Sequence, residues 1–149
     1  MTEQRCRALL EEEPSAQGLA LLLLDVDDFK HTNDCCGHRK GDAVLRCLGE
    51  NLSGLFRKND VVGRIGGDEF LMMMPGAGSE QAVDRARKIA QEMCRSVSAQ
   101  CGVDVSSSIG VVLAQPGACG YEELLRRADS ALYAAKAAGK GCYRVYGGA

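Results

Sequence analysis

Val61-Val62-Gly63-Arg64-Ile65-Gly66-Gly67-Asp68-Glu69-Phe70-Leu71-Met72-Met73-Met74 sets two apolar arms around a tip of glycines and acids. Val61, Val62 and Ile65 lead in, and Phe70 to Met74 lead out, so both arms read as strands. Gly66 and Gly67 are expected to permit a tight turn and to leave room for a ligand. The stretch is a predicted β-hairpin that holds Asp68 and Glu69 on rigid arms, where a divalent cation or a proton acceptor belongs. Strands joined directly by a hairpin run antiparallel, which excludes a purely parallel doubly wound sheet.

Upstream, Gly18 to Asp25 is apolar without alternation, the pattern of a strand buried on both faces, and it delivers Asp25 to its carboxyl end. Thr2 to Glu13 predicts a helix closed near Pro14. Asp27 to Lys40 predicts a short helix and a loop around Gly37. Asp42 to Phe56 carries Val44, Leu45, Leu48, Leu52 and Leu55 at helical spacing. Downstream, Pro75 to Gly78 breaks the hairpin. Ser79 is expected to cap a helix whose apolar face is Val83, Ala86, Ile89, Ala90 and Met93. Val103 to Ala114 predicts a strand, Tyr121 to Ala138 a helix stopped by Gly139, and Cys142 to Tyr146 a short last strand. This order predicts an α+β fold, helices packed on a central sheet, as one domain over residues 1–149.

The net charge of −2, with no long basic run, excludes a broad duplex-binding surface, so no nucleic-acid partner is expected. The apolar run Leu19 to Leu24 is far too short to span a bilayer. The polar, acidic stretch Met1 to Glu13 is unlike a signal peptide. A cytoplasmic domain without direct membrane contact is the expectation. Eight cysteines include no Cys-x-x-Cys pair, and with two histidines a zinc site is disfavoured. They read as reduced small hydrophobes.

If the strands ending in Asp25 and starting beyond Asp68 are neighbours, the two carboxylates meet at one sheet edge. Such a pair suits Mg2+, which completes its shell with water and phosphate. Here the chain resembles a known family. Gly66-Gly67-Asp68-Glu69-Phe70 matches the signature of GGDEF domains, the bacterial diguanylate cyclases. Asp25-Val26-Asp27-Asp28-Phe29-Lys30, Asn33-Asp34, Gly37-His38 and Gly41-Asp42 match in order and spacing. Ser108-Ile109-Gly110-Val111 and Ala128-Asp129-x-Ala131-Leu132-Tyr133-x-Ala135-Lys136 match downstream. The resemblance, from about Leu19 to Tyr146, implies a palm-like nucleotide-cyclase fold with a mixed, mainly antiparallel five-stranded core sheet. It also implies the reaction, in which two GTP condense to cyclic di-GMP and release two pyrophosphates.

Carried over by position, the resemblance implies that Asp25, Asp68 and the Val26 carbonyl hold two Mg2+ ions, with Mn2+ an alternative. Asp68 and Glu69 are both candidates to take the proton of the 3′-hydroxyl. Lys30 stabilises phosphate charge, and Lys136 and Lys140 hold phosphates. Asn33 and Asp42 read guanine, with His38 beside them and Gly66 and Gly67 leaving space. A carboxylate accepts from guanine N1–H and N2 amine, which adenine does not match, so GTP is favoured over ATP. Asp42 would equally cap its helix from the first turn. Arg57-Lys58-Asn59-Asp60 stands at the offset of the family's inhibitory product site, where Arg forks onto guanine or phosphate and Asp accepts from guanine. The bland alternative is a surface ion pair.

The family's usual Asp-x-Leu-Thr-x-Leu-x-Asn-Arg opening is missing. This implies a piece of a longer protein with an upstream sensory or dimerising region. Gly139-Lys140-Gly141 stands for Gly-Arg-Asn, keeping the charge without the guanidinium fork. Cys35-Cys36 replaces a Thr-aromatic pair. One GTP per chain and two per product imply a homodimer. The competing reading is a catalytically weak module that senses cyclic di-GMP or GTP.

Overall fold

The computed structural model describes residues 2–11, 18–115 and 120–147. Its elements are α1 (Thr2–Glu11), β1 (Leu19–Val26), α2 (Phe29–Cys36), α3 (His38–Leu55), β2 (Val61–Arg64), β3 (Glu69–Pro75), α4 (Ser79–Lys88), a π-helical stretch (Ile89–Met93), α5 (Cys94–Cys101), β4 (Ser107–Ala114), α6 (Tyr121–Ala137) and β5 (Tyr143–Val145).

Leu21 to Leu24 explain the layering. All four are almost fully buried, and alternate side chains of a strand leave by opposite faces. Leu22 and Leu24 enter a core closed by Val44 and Leu48 of α3, Ala86 of α4, Ile89 of the π-helical stretch and Val97 of α5. Leu21 and Leu23 enter a second core, closed by Cys6 of α1 and by Leu124, Ala128 and Leu132 of α6. Each such burial stabilises by about 1.5–3 kcal/mol, which is why no polar residue interrupts the run.

The sheet order is β2-β3-β1-β4-β5, antiparallel throughout except for the parallel pair β4–β5. The expected α+β fold with a mixed five-stranded sheet is present. In this register Asp25 lies opposite Glu69 on one side and Ser108 on the other. Among the described residues no helix is long and apolar enough to cross a membrane.

Several boundaries differ from expectation. Ser79 is not the cap of α4. Gly78 precedes the helix in an extended conformation, and its N–H donates to Gln81 Oε1 at 2.8 Å. On that helix Ala82, rather than Val83, is fully buried. Strand β4 starts at Ser107, not Val103. The Ser98 hydroxyl accepts from the Val105 N–H at 2.8 Å and donates to the Val105 carbonyl at 3.2 Å, which ties that residue to α5. Helix α3 starts at His38, because only Gly37, at φ 90°, separates it from α2. The expected end of the first helix near Pro14 lies outside the described residues. Among the described residues seven cysteines are free thiols; Cys6 and Cys94 are buried, but Cys35 and Cys36 are exposed and do not serve as core hydrophobes.

Two close approaches fix the outer layers. A Cβ on Gly63 would stand 1.6 Å from Thr2 Oγ1, so α1 lies directly on β2. A Cβ on Gly110 would stand 2.1 Å from the Ala128 carbonyl oxygen, so α6 lies on β4 with no room for a methyl. Backbone cannot yield there as a flexible side chain would. Gly110→Ala is expected to destabilise the protein by at least about 1–3 kcal/mol in chemical denaturation. Unchanged stability would mean that α6 can ride higher on the sheet.

Candidate functional site

The β1–β3 register brings the acids together. Asp25 closes β1, and Asp68 precedes β3 at the hairpin tip. The Val26 N–H donates to the Asp68 carbonyl at 3.1 Å, which fixes the tip against β1. Asp68 lies near enough to the Asp25 carboxyl to disfavour its ionisation. Lys136, at the end of α6, donates to Asp25 Oδ2. Burial pushes the Asp25 carboxyl up to about 6; Lys136 opposes this and Asp68 adds to it. Glu69 is also held above its usual range, first by burial and then by Asp68 and Asp129.

Asp25 Oδ1 is buried with no hydrogen-bond partner. An orphaned carboxylate oxygen with a second carboxylate nearby is a donor set for a hard cation. Among the described residues no three His, Cys, Asp or Glu side chains converge, so such an ion would keep positions open for phosphate and water. The residues therefore fit Mg2+ or Mn2+.

Neither Gly66 nor Gly67 adopts a positive φ, so the tip does not need glycine for its turn, contrary to the sequence expectation. Arg64 holds it instead. Its Nε donates to the Gly66 and Gly67 carbonyls at 3.0 and 3.1 Å. Around a Cβ at Gly67 there would be nothing within 4 Å, so this position offers open space beside the acids.

A cavity of about 870 Å³ lies between α3 and the hairpin, lined by Asp42, Arg46, Gly49, Glu50, Arg64 and Phe70 among others. Asp42 is exposed and past the first turn of α3, so it is not a helix cap. Asn33 is not among the lining residues. Its Oδ1 is buried and unpartnered, packed where a Gly41 Cβ would approach it to 1.8 Å. His38 starts α3 and is exposed, as is Lys30 in the first turn of α2. Lys140 pairs with Asp28 at 2.7 Å, and both residues have positive φ, 65° and 53°.

Arg57 and Asp60 form a closed turn. Asp60 is buried, and its Oδ2 accepts from the Arg57 main-chain N–H at 2.8 Å. The Arg57 guanidinium is 59% exposed and stands 3.9 Å from that carboxylate, so it can turn outward. The pair is thus a buried acid stapling a loop, not a simple surface ion pair.

Sequence reasoning missed Asp27. Its buried carboxylate accepts from Ser106 Oγ, Ser108 Oγ and the Gly141 N–H. It also missed Arg64. The signal for Asp27 was its place two positions after Asp25, on the same alternation.

The family model "Diguanylate cyclase, GGDEF domain" matches residues 1–142. Diguanylate cyclase DgcM of Escherichia coli K12 is 41% identical over 125 residues, covering 84% of this chain and 30% of that protein. Diguanylate cyclase TpbB of Pseudomonas aeruginosa is 37% identical over 142 residues, 93% of this chain and 33% of that protein. The chain thus spans about a third of the length of these relatives. Among solved structures, the GGDEF domain of DgcB from Caulobacter crescentus, in complex with c-di-GMP, superposes with a TM-score of 0.82 at 25% identity, over 99% of this chain and 86% of that one. The GGDEF domain of TpbB from P. aeruginosa gives 0.78 at 33% identity, over 97% and 92%.

In the metal-free protein Asp25 holds its proton more tightly folded than unfolded, so stability is lost as pH rises from 3.8 to about 6. Asp25→Asn should therefore raise stability at pH 7.5 by roughly 1–3 kcal/mol and change little near pH 3.5. Thermal unfolding of both proteins in chelator across this range checks it. A variant no more stable at pH 7.5 would show that Lys136 outweighs burial.

Proposed function

This chain belongs to the GGDEF domain family of diguanylate cyclases, and we propose that it condenses two GTP into cyclic di-GMP with release of two pyrophosphates. The observation that carries the reading is the carboxylate pair at the β1 end and the hairpin tip, with Asp25 Oδ1 buried and unpaired. Enzymes of this family are generally metal-dependent. In this chain Asp25, Asp68 and the Val26 carbonyl would hold two Mg2+ or Mn2+ ions. When bound, such ions neutralise the triphosphate and make the 3′-hydroxyl easier to deprotonate.

The chain's own groups do the rest. The cavity between α3 and the hairpin takes the nucleotide, and the open face of Gly67 lets phosphate approach the backbone. Lys136 counters charge beside Asp25, Lys30 adds a cation from α2, and Lys140 contributes by exchanging Asp28 for phosphate. Asp42, on the wall of that cavity, reads the guanine edge, joined by Asn33 from beside Gly41, outside the lining, and by the exposed His38. Glu69, held above its usual range by burial, is suited to take the proton, with Asp68 beside it. One chain binds one GTP, so two copies face each other to close the product ring. Arg57 and Asp60 bind cyclic di-GMP as a brake.

Purified protein given GTP and Mg2+ should make cyclic di-GMP, seen by chromatography of the nucleotides, and little mixed product when equimolar ATP is added. Asp68→Asn should keep its circular dichroism and lose activity by about 10²-fold or more. Turnover near wild type in that folded variant would reject the assignment. A wild type that binds cyclic di-GMP but never makes it would leave the sensing module as the answer.

Arg57→Ala should weaken cyclic di-GMP binding by ~1–3 kcal/mol in calorimetry, the scale of a bidentate contact to guanine, while Asp60 keeps the loop folded. Equal affinity in both proteins would leave Asp60 as a loop staple alone.

A further inference from the structure

We infer that Asp27 is the positioning residue that joins the metal-binding end of β1 to the phosphate-binding end of α6, an inference that rests on the proposed cyclase reading. Asp27 is 7% exposed. Its Oδ1 accepts from Ser108 Oγ at 2.6 Å, and its Oδ2 from Ser106 Oγ at 2.8 Å and the Gly141 N–H at 2.9 Å. Its own N–H donates to the Ser106 carbonyl at 2.9 Å. One side chain thus ties three segments together: the end of β1, the start of β4 and the loop after α6.

All three donors to this carboxylate are neutral. Burying a carboxyl group on neutral donors alone is costly, and an apolar residue there would hold none of the three segments. The placement explains what the arrangement achieves. Asp25 and Val26 immediately precede Asp27, while Lys140 immediately precedes Gly141 and Lys136 stands five residues before it, at the end of α6. Gly141 has φ 59°, a backbone state that favours glycine, and it presents its N–H to Asp27. Asp28 and Lys140, next to these two residues, pair with each other and add a second, exposed latch. The distance from the carboxylate pair to the lysines is therefore fixed through Asp27, and not by α6 packing alone.

The test compares Asp27→Ala with Asp27→Asn. The amide can keep an oxygen toward Ser106 and Gly141 and turn its nitrogen toward Ser108, whose hydroxyl can accept. Asp27→Asn should therefore stay close to wild type. Asp27→Ala should expose the Gly141 amide to faster hydrogen exchange in the metal-free protein. It should also weaken Mn2+ binding, read by electron paramagnetic resonance, and lower kcat/KM for GTP, each by about 10–100-fold. If Asp27→Ala does not fold, the double variant Ser106→Ala/Ser108→Ala should show the same pattern in milder form. Normal Mn2+ affinity and normal kcat/KM in a folded variant with a freely exchanging Gly141 amide would overturn the inference and leave Asp27 a structural acid. So would unchanged Gly141 exchange. Were the wild type to make no cyclic di-GMP, the cyclase reading would fall, and Mn2+ affinity would still decide the role of Asp27.

Discussion

The pairing of β1 with β3 is the constraint on which the rest of the molecule depends. Leu21 to Leu24 are buried on both faces, so β1 must be an interior strand with neighbours on either side. A slip of one residue would exchange Leu22 and Leu24 for Leu21 and Leu23 between the two cores and place Asp25 in an apolar layer. Core packing therefore sets the register, and the register sets Asp25 opposite Glu69. The chemistry at the edge is a by-product of leucines buried well away from it.

That edge is electrostatically unfinished. Asp68 acts on both Asp25 and Glu69, Asp129 acts on Glu69 as well, and Lys136 is the cation that reaches Asp25. Burial raises the cost of each negative charge, so the group lowers its energy by holding protons or by gathering cations. The remaining lysine of the α6 end, Lys140, is engaged by Asp28. A triphosphate with its metals would relieve the repulsion among the acids and compete with Asp28 for Lys140.

How much was legible follows the range of the interactions. The apolar run of β1, the hairpin and the stop at Gly139 are local patterns, and they appear where the sequence put them. The proximity of Asp25 and Asp68 was legible because one stands near the end of β1 and the other at the hairpin tip, in elements whose pairing was foreseeable. What escaped reading depends on distant partners. Asp27 takes its donors from 79, 81 and 114 residues away, and nothing near it announces them. The start of β4 was misplaced because Ser98 claims Val105, a contact between a helix and a loop. The π-helical stretch was invisible because residues 79–101 carry one unbroken helical pattern. Gly66 and Gly67 were read as turn formers, but Arg64 holds the turn, and the glycines leave space. The burial of Asp60 was likewise hidden, since an Arg-x-x-Asp run looks the same on a surface.

The shortness of the two edge strands has a consequence for how the chain meets other chains. A bare edge strand is a template for adding foreign strands, which leads to aggregation. Strand β2, one edge of this sheet, has only four residues, Val61–Arg64, and ends in an exposed arginine. Strand β5, the other edge, offers only Tyr143–Val145, with the exposed charge of Arg144 at its centre. Sheet extension is thus limited by the brevity of both edge strands and by an exposed arginine on each. Copies of this domain can therefore be crowded together with less of the risk that crowding brings to a long, open sheet edge.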